Sequence, residues 1–205
     1  MRRWASWRSW ARASTGPLPT SCTEASNFPT DLYVAQGLVE LLGGNHALRV
    51  EWTPGHSPGH VCLHEALTGL LFAGDHVLPE LSPNIGLHPQ STPDPLHDYL
   101  QGLKRMAALD PKLVLPAHGR PFSDIAGRVE ALVSHHARRL DQILEIVGHR
   151  EKSGWQVALE LWGPRENLYE KRLALQEGLA HLQALAVEGR VEKTVTPETV
   201  RWRLS

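Results

Sequence analysis

The chain has 205 residues, of which 41% are hydrophobic and 21% charged, a composition typical of a soluble globular protein with a core. Its 21 basic and 22 acidic residues give a formal net charge of -1, which excludes an overall cationic field suited to nucleic acid. Two cysteines, Cys22 and Cys62, are too few for a disulfide scaffold or a Cys-rich zinc module, and no apolar run approaches the roughly 20 residues that span a bilayer. We therefore expect a soluble, cytoplasmic protein whose metal chemistry, if any, uses carboxylates and its 12 histidines.

Residues 1–30 have a biased composition, rich in arginine, serine and tryptophan, with no acidic residue before Glu24. We interpret this segment as an irregular or disordered arm, because glycine and prolines interrupt it before any periodic pattern is established. An organellar transit segment and an interfacial helix are the alternatives. Residues 31–42 then show the apolar spacing of a short amphipathic helix that ends at Gly43.

Four short strands are predicted in the central part of the chain, at residues 47–52 (ALRVEW), 60–64 (HVCLH), 70–73 (LLFA) and 112–115 (KLVL). A helix is predicted to begin at Asp94-Pro95, where a capping residue precedes a first-turn proline. The loop of residues 78–93 contains four prolines and is either the rim of a pocket or a surface connection.

Three potential metal ligands, His56, Asp75 and His118, lie in loops next to these strands, each beside a glycine. Open α/β sheets collect functional side chains in the loops at strand ends, because the strands determine where each loop begins. Histidine with carboxylate is the ligand set expected for zinc, manganese or iron. Each residue taken singly also fits a turn or cap.

The segments TPGHSPGH, FAGDHVL and LPAHGRP, in this order, resemble the later metal motifs of the metallo-β-lactamase superfamily. The similarity is greatest to the branch with a C-terminal winged helix, which includes a β-lactamase-like endoribonuclease and many bacterial hydrolases. The resemblance implies an αββα sandwich in which His56 ligates one metal, Asp75 bridges two and His118 ligates the second. It also implies one or two zinc ions, or manganese or iron, and a metal-bound hydroxide that attacks an ester, thioester, lactone or phosphodiester.

The leading motif of that family, HxHxDH, does not occur in the chain, so the resemblance covers the C-terminal half of the sandwich. Two protein ligands per metal fall short of the usual three of a catalytic zinc site. His60 and His76 are expected to support the ligands or to substitute for missing ones. Beyond the bridging role of Asp75, no catalytic residue is assigned.

The C-terminal part predicts a small module of helices and a hairpin. A long helix is expected to follow a Ser123 cap, a second to cover residues 155–162, and a third residues 165–188, with Leu168, Leu175, Leu179, Leu182 and Leu185 facing inward. A hairpin of residues 191–195 and 199–204 completes a winged-helix arrangement. Because the hairpin carries arginines and a lysine, contact of this module with nucleic acid is one possibility. The alternatives are that the module packs beside the active site or forms a dimer.

The predicted organisation is an arm (residues 1–30), a partial metallo-β-lactamase-like α/β domain (31–122) and a linking helix with a winged helix (123–205). The predicted function is a metal-dependent hydrolase that takes a small ester-type substrate. The alternative is a catalytically impaired remnant that serves as a binding or assembly module, with RNA or a second copy as partner. Half a sandwich is expected to expose the apolar face that its missing half covers, which favours association.

Overall fold

The computed structural model describes residues 48–148 and 150–205, which contain seven strands and four helices. This mixed α/β content agrees with the predicted fold class. The predicted arm of residues 1–30 and the predicted helix of residues 31–42 lie outside the described residues. Within the described part of the chain, none of the helices is long and apolar enough to cross a membrane.

Four strands form the first sheet in the order β1-β2-β3-β4, and each agrees with its predicted range to within one residue at either end. They are β1 (Leu48–Trp52), β2 (Val61–Glu65), β3 (Leu70–Gly74) and β4 (Leu113–Pro116). Because β2 is antiparallel to β3 and β3 is parallel to β4, the amino end of β2 and the carboxyl ends of β3 and β4 share one edge. The loops that contain all three predicted ligands therefore leave the sheet at that edge.

Apart from the buried polar side chains of His64 and Glu65, both faces of β2, β3 and β4 are apolar, with side chains that alternate between the two faces along each strand. One face is fully buried at Cys62, Leu71, Ala73 and Val114. The opposite face is half-buried and consists of Val61, Leu63, Leu70, Phe72, Leu113 and Leu115. Strands with two apolar faces are typical of a sheet that lies between two other layers.

Helix α1 (Pro95–Ala108) connects β3 to β4 and begins where the sequence predicts. The side chain of Asp94 accepts a hydrogen bond from the amide of His97 at 3.0 Å, and Pro95 occupies the first turn, where its missing N–H costs nothing. The apolar side of the helix is buried in the core at Leu96, Tyr99, Leu103 and Met106.

Helix α2 (Ile125–Val147) begins one residue later than predicted, because Asp124 and not Ser123 is its cap. The Asp124 carboxylate accepts the amide hydrogen of Gly127 at 2.8 Å. One side of the helix is buried at Val129, Leu132, Leu140, Ile143 and Val147, and it includes the polar side chain of His136.

Two helices and a second sheet follow. They are α3 (Gly154–Trp162), α4 (Leu168–Val187), and the strands β5 (Lys152–Ser153), β6 (Val191–Val195) and β7 (Val200–Leu204) in the order β5-β7-β6. The prediction that Leu168 faces inward is wrong: it is 82% exposed, because Asn167 caps α4 and Leu168 is its first residue, ahead of the buried segment around Leu182 and Leu185. The core of this part is continuous with that of the first sheet and α1.

Candidate metal centre

The fold brings the three predicted ligands together around the carboxylate of Asp75. Asp75 follows β3, His118 follows β4, and His56 lies in the loop that precedes β2. His56 Nε2 lies 3.8 Å from Asp75 Oδ2, and His118 Nε2 lies 3.5 Å from Asp75 Oδ1. Each carboxylate oxygen thus faces one imidazole, which is the arrangement of a bridging carboxylate.

The ring of His56 is oriented by a hydrogen bond from its Nδ1 to the backbone oxygen of Asn84 at 2.9 Å. A carbonyl oxygen only accepts, so the proton is on Nδ1 and the Nε2 of the neutral ring carries a lone pair. This lone pair faces Asp75 Oδ2, which is also an acceptor. Two acceptors face each other favourably only when a proton or a cation lies between them. Metal-ligating histidines are commonly oriented by such a hydrogen bond from their other nitrogen.

The two distances between histidine nitrogen and Asp75 oxygen are compatible with two metal sites, each with one imidazole and one carboxylate oxygen as ligands. Ligand atoms about 2.1 Å from a zinc ion in tetrahedral geometry are about 3.4 Å apart. The observed separations at Asp75, 3.5 and 3.8 Å, are close to this span. The donor set and its spacing therefore suit two divalent ions that share Asp75.

Among the described residues, no group of three or more His, Cys, Asp or Glu is arranged to hold a single metal ion. Each half of the candidate centre supplies one imidazole and one carboxylate oxygen. His118 is also exposed, with 74% of its side chain accessible. The arrangement leaves coordination positions that these three residues do not fill.

The ring of His60 supports Asp75 through a hydrogen bond with the Asp75 backbone amide. Its Nε2 accepts the amide hydrogen of Asp75 at 3.1 Å, so the ring proton is on Nδ1, which lies 2.8 Å from the hydroxyl of Thr53. Burial and the neighbouring His56 lower the pKa of His60 to about 4, against a smaller opposing effect of Asp75. Since both ring nitrogens are hydrogen-bonded, His60 supports a candidate ligand and has no free lone pair with which to replace one.

His76 is directed into the core. It is fully buried, and its ring packs against that of Tyr99 in a T-shaped arrangement with a centroid distance of 5.0 Å. Burial, and then the neighbouring His60, lower its pKa to about 3. The ring also lies against Gly102 of α1, where a Cβ would approach its Nε2 to 2.7 Å. In this position His76 packs between the sheet and α1.

The beginning of the proline-rich loop borders the candidate centre. A shallow pocket is lined by Leu78, Pro79, Glu80, Leu81, His118 and Gly119. Arg128 of α2 holds this part of the loop, since its guanidinium donates to the backbone oxygens of Leu78 at 2.6 Å and Leu81 at 2.8 Å. The first four residues of the predicted rim therefore lie next to a predicted ligand.

Sequence reasoning missed two residues of the site, Thr53 and Asn84. Thr53 is fully buried, and Asn84 contributes its backbone oxygen to His56. A backbone acceptor leaves no signal in residue type, and an asparagine in a proline-rich loop is typical of a turn. Only the proximity of the loop to His56 reveals the role of Asn84.

Two of the four cations at the C-terminal hairpin, Arg190 and Arg203, are paired with acidic side chains. Arg203 donates to Glu192 at 2.7 Å through Nε, and Arg190 lies 3.4 Å from both Asp141 and Glu188. Pairing reduces the positive field that these side chains present to a phosphate backbone. The hairpin is thus less cationic than its sequence suggests.

A family model described as the metallo-beta-lactamase superfamily matches residues 2–118 of the chain. A "Probable metallo-hydrolase YqjP" of Bacillus subtilis is 30% identical over 141 residues, which cover 66% of this chain and 43% of that protein. A "Lactamase-like protein nscB" of Trichophyton equinum is 24% identical over 208 residues, covering 96% of this chain and 58% of that protein.

Two solved structures share the fold over 79% of the chain. A metallo-beta-lactamase family protein from Thermus thermophilus is 36% identical with a TM-score of 0.70, and 52% of its length is covered. A beta-lactamase domain protein from Burkholderia ambifaria is 32% identical with a TM-score of 0.73, and 49% of its length is covered. The chain therefore spans about half the length of these relatives.

Proposed function

Because the chain belongs to the metallo-beta-lactamase superfamily, we propose that it is a metal-dependent hydrolase in which His56, Asp75 and His118 hold the metal. One observation carries this proposal. The two oxygens of Asp75 face the Nε2 atoms of two histidines at distances that suit bridged divalent cations.

In this proposal Asp75 would contribute one carboxylate oxygen to each of two metal sites, and His56 and His118 would each add one imidazole ligand to one of them. Zinc suits imidazole and carboxylate ligands, and manganese and iron are the alternatives. Divalent ions in such a site supply Lewis acidity, which polarises a carbonyl or phosphoryl oxygen and lowers the pKa of water from 15.7 to about 7. The chain's own contribution is positional, since His60 holds the backbone of Asp75 and Asn84 holds the ring of His56.

The substrate class proposed is an ester, thioester, lactone or phosphodiester of a small molecule, bound beside His118. The pocket there is bordered by Leu78, Pro79 and Leu81, which favours a substrate with an apolar part next to the bond that is hydrolysed. A fold by itself does not choose among these bonds. Turnover of one compound from each class, measured with zinc, manganese and iron in turn, discriminates among them.

The metal content of the purified full chain tests the proposal. We expect it to take up to two equivalents of zinc, and Asp75→Ala to lose both, because Asp75 is the shared ligand. His97→Ala, which removes an exposed histidine of α1, is the matched control and should keep the wild-type count. Retention of both equivalents by Asp75→Ala would show that the ligand assignment is wrong.

A second candidate function, a catalytically impaired binding or assembly module, is favoured by the small number of ligands. No group of three metal-ligating side chains surrounds one point in the described part of the chain. If the wild-type chain takes up no zinc, manganese or iron after their addition, this second function is supported. The next measurement is then the molar mass of the chain in solution, which shows whether the chain associates.

We also propose that residues 123–205 form a linking helix and a winged helix, after the partial hydrolase domain of residues 31–122. The support is the order of elements, in which α3 and α4 precede the antiparallel hairpin of β6 and β7 and β5 adds a third strand. The pairing of Arg203 with Glu192 and of Arg190 with Asp141 weakens the case for contact with RNA.

A further inference from the structure

Helix α4 of the C-terminal part reaches the candidate metal centre through Asn84. The side-chain Nδ2 of Asn84 donates to Glu177 Oε2 at 2.9 Å and to the backbone oxygen of Leu173 at 3.4 Å. The backbone oxygen of the same asparagine accepts the Nδ1 proton of His56 at 2.9 Å. One residue thus joins a candidate ligand to a helix that lies 93 positions further along the sequence.

The loop is also held to α4 on the carboxyl side of Asn84. The amide of Leu87 donates to the backbone oxygen of Gln176 at 2.9 Å, and a Cβ on Gly86 would approach the Gln176 Cβ to 3.1 Å. This close approach shows that the loop lies directly on the helix. The backbone oxygen of Asn84 is therefore positioned by several contacts with one rigid element.

Glu177 itself is well placed to act as a fixed acceptor. Its carboxylate accepts the side chain of Asn84 at 2.9 Å, and its own backbone oxygen accepts a hydrogen bond from His181 Nδ1 at 2.8 Å. The next turn of α4 is buried in the core at Ala180, Leu182 and Leu185. The side chain that receives Asn84 is thus attached to one of the most deeply buried segments of the described chain.

We propose that Glu177 and Asn84 are positioning residues for His56, through which α4 directs the Nε2 lone pair of that histidine toward Asp75. Neither residue touches a substrate or a metal in this proposal. Glu177 orients the Asn84 side chain, the Asn84 backbone oxygen holds the proton on His56 Nδ1, and Nε2 is left as the free acceptor. The C-terminal part thereby helps to form the centre, and this inference rests on the proposed function only in taking His56 as a ligand.

The first test measures the tautomer of His56 in the metal-free full chain by nitrogen-15 NMR, at about pH 8.5, two units above the ordinary pKa of histidine. The His56→Gln variant identifies the signal. We expect Nδ1 to carry a proton in the wild type and in Glu177→Gln, which keeps an acceptor oxygen for Asn84. Glu177→Leu removes that acceptor and should give a mixture containing the Nε2-protonated form.

The second test measures zinc affinity of the same variants by competition with a chelating dye. Loss of an outer partner of a ligating histidine typically weakens metal binding about 10- to 100-fold. We expect this loss in Glu177→Leu and near-wild-type affinity in Glu177→Gln. The control is Asn167→Ala, which removes the cap of α4 without touching the loop and should lower stability while leaving affinity unchanged.

An unchanged His56 tautomer in Glu177→Leu would overturn the proposal, as would an equal loss of zinc affinity in Asn167→Ala. If Glu177→Leu does not fold, Asn84→Ala removes the same hydrogen bond by deleting its donor. Both measurements are then made on that variant. If the wild type binds none of zinc, manganese and iron, the proposed function fails. The tautomer measurement still decides whether α4 positions His56.

Discussion

Gly74 and His60 show how single residues place the carboxylate of Asp75. The backbone of Gly74 has φ of +52°, and a Cβ at this position would lie 2.6 Å from His60 Nε2, the atom that accepts the Asp75 amide hydrogen. Only glycine both adopts this conformation at low cost and leaves room for the imidazole. Gly74 of the Gly-Asp-His segment is therefore needed for the backbone conformation, in addition to the proposed role of Asp75 as a metal ligand.

We expect Gly74→Ala to destabilise the chain by about 1–3 kcal/mol and to abolish or strongly weaken zinc uptake. The backbone strain accounts for the first effect, and displacement of His60 from the Asp75 amide accounts for the second. Urea unfolding and metal titration measure them. The matched control is Gly189→Ala, where φ is +72° and nothing lies within 4 Å of the added Cβ. Equal effects of both substitutions on zinc uptake would contradict this reasoning.

At the scale of elements, local sequence signals determine where helices begin. Asp94 and Pro95 predict the start of α1 correctly, because a capping carboxylate and a preset φ act within one turn. The predicted start of α4 at Arg165 is wrong. Asn167 is the actual cap, and no glycine or proline between Arg165 and Asn167 marks this boundary in the sequence. The local sequence also does not determine which turns of a helix are buried by other elements. Leu168 lies in the exposed first turn of α4.

The Asp94 cap of α1 provides a test at this scale. Asp94→Ala should lower the free energy of unfolding by about 1 kcal/mol, because the amide of His97 loses its acceptor. Asp94→Asn retains a side-chain oxygen and should lose less. Urea unfolding of the two variants and the wild type gives the comparison. A loss in Asp94→Asn equal to that in Asp94→Ala would mean that charge, and not the hydrogen bond, is the source of stability.

For the molecule as a whole, a buried pair of histidines joins α2 to α4. His136 Nδ1 lies 3.1 Å from His181 Nε2, and both side chains are fully buried. The backbone oxygen of Glu177 accepts the proton of His181 Nδ1, so His181 Nε2 is an acceptor and His136 donates to it. The remaining nitrogen of His136 lies 3.4 Å from the hydroxyl of Ser82, which completes the chain of hydrogen bonds. In this arrangement each ring is neutral, and adding a proton to His181 Nε2 breaks the hydrogen bond between the two rings.

This pair predicts acid-sensitive stability. Burial, together with nearby His181, His135 and Arg139, lowers the pKa of His136 to about 2, and burial lowers that of His181 to about 4. Unfolded histidine takes up a proton near pH 6.5, so below that pH the unfolded chain binds more protons than the folded chain. The contribution of these two rings to the free energy of unfolding should be constant above about pH 6.5 and fall by up to about 1.4 kcal/mol per pH unit for each ring as the pH decreases toward the folded-state values.

Urea unfolding between about pH 7.5 and pH 5 measures this dependence. A variant with both His136→Leu and His181→Leu should show a shallower decrease, while His97→Gln, on the exposed side of α1, should match the wild type. An unchanged slope in the double variant would assign the acid sensitivity to other groups.

The sequence by itself determined the candidate ligands, the four strands of the first sheet and the start of α1, because these depend on residue types and spacings within a few positions. The tertiary structure decided where the rings point. His60 supports Asp75 and His76 enters the core, although both follow a glycine or a candidate ligand in similar loops. The link from His56 to Glu177 joins residues far apart in the chain, and such contacts arise only when packing brings a loop against a helix.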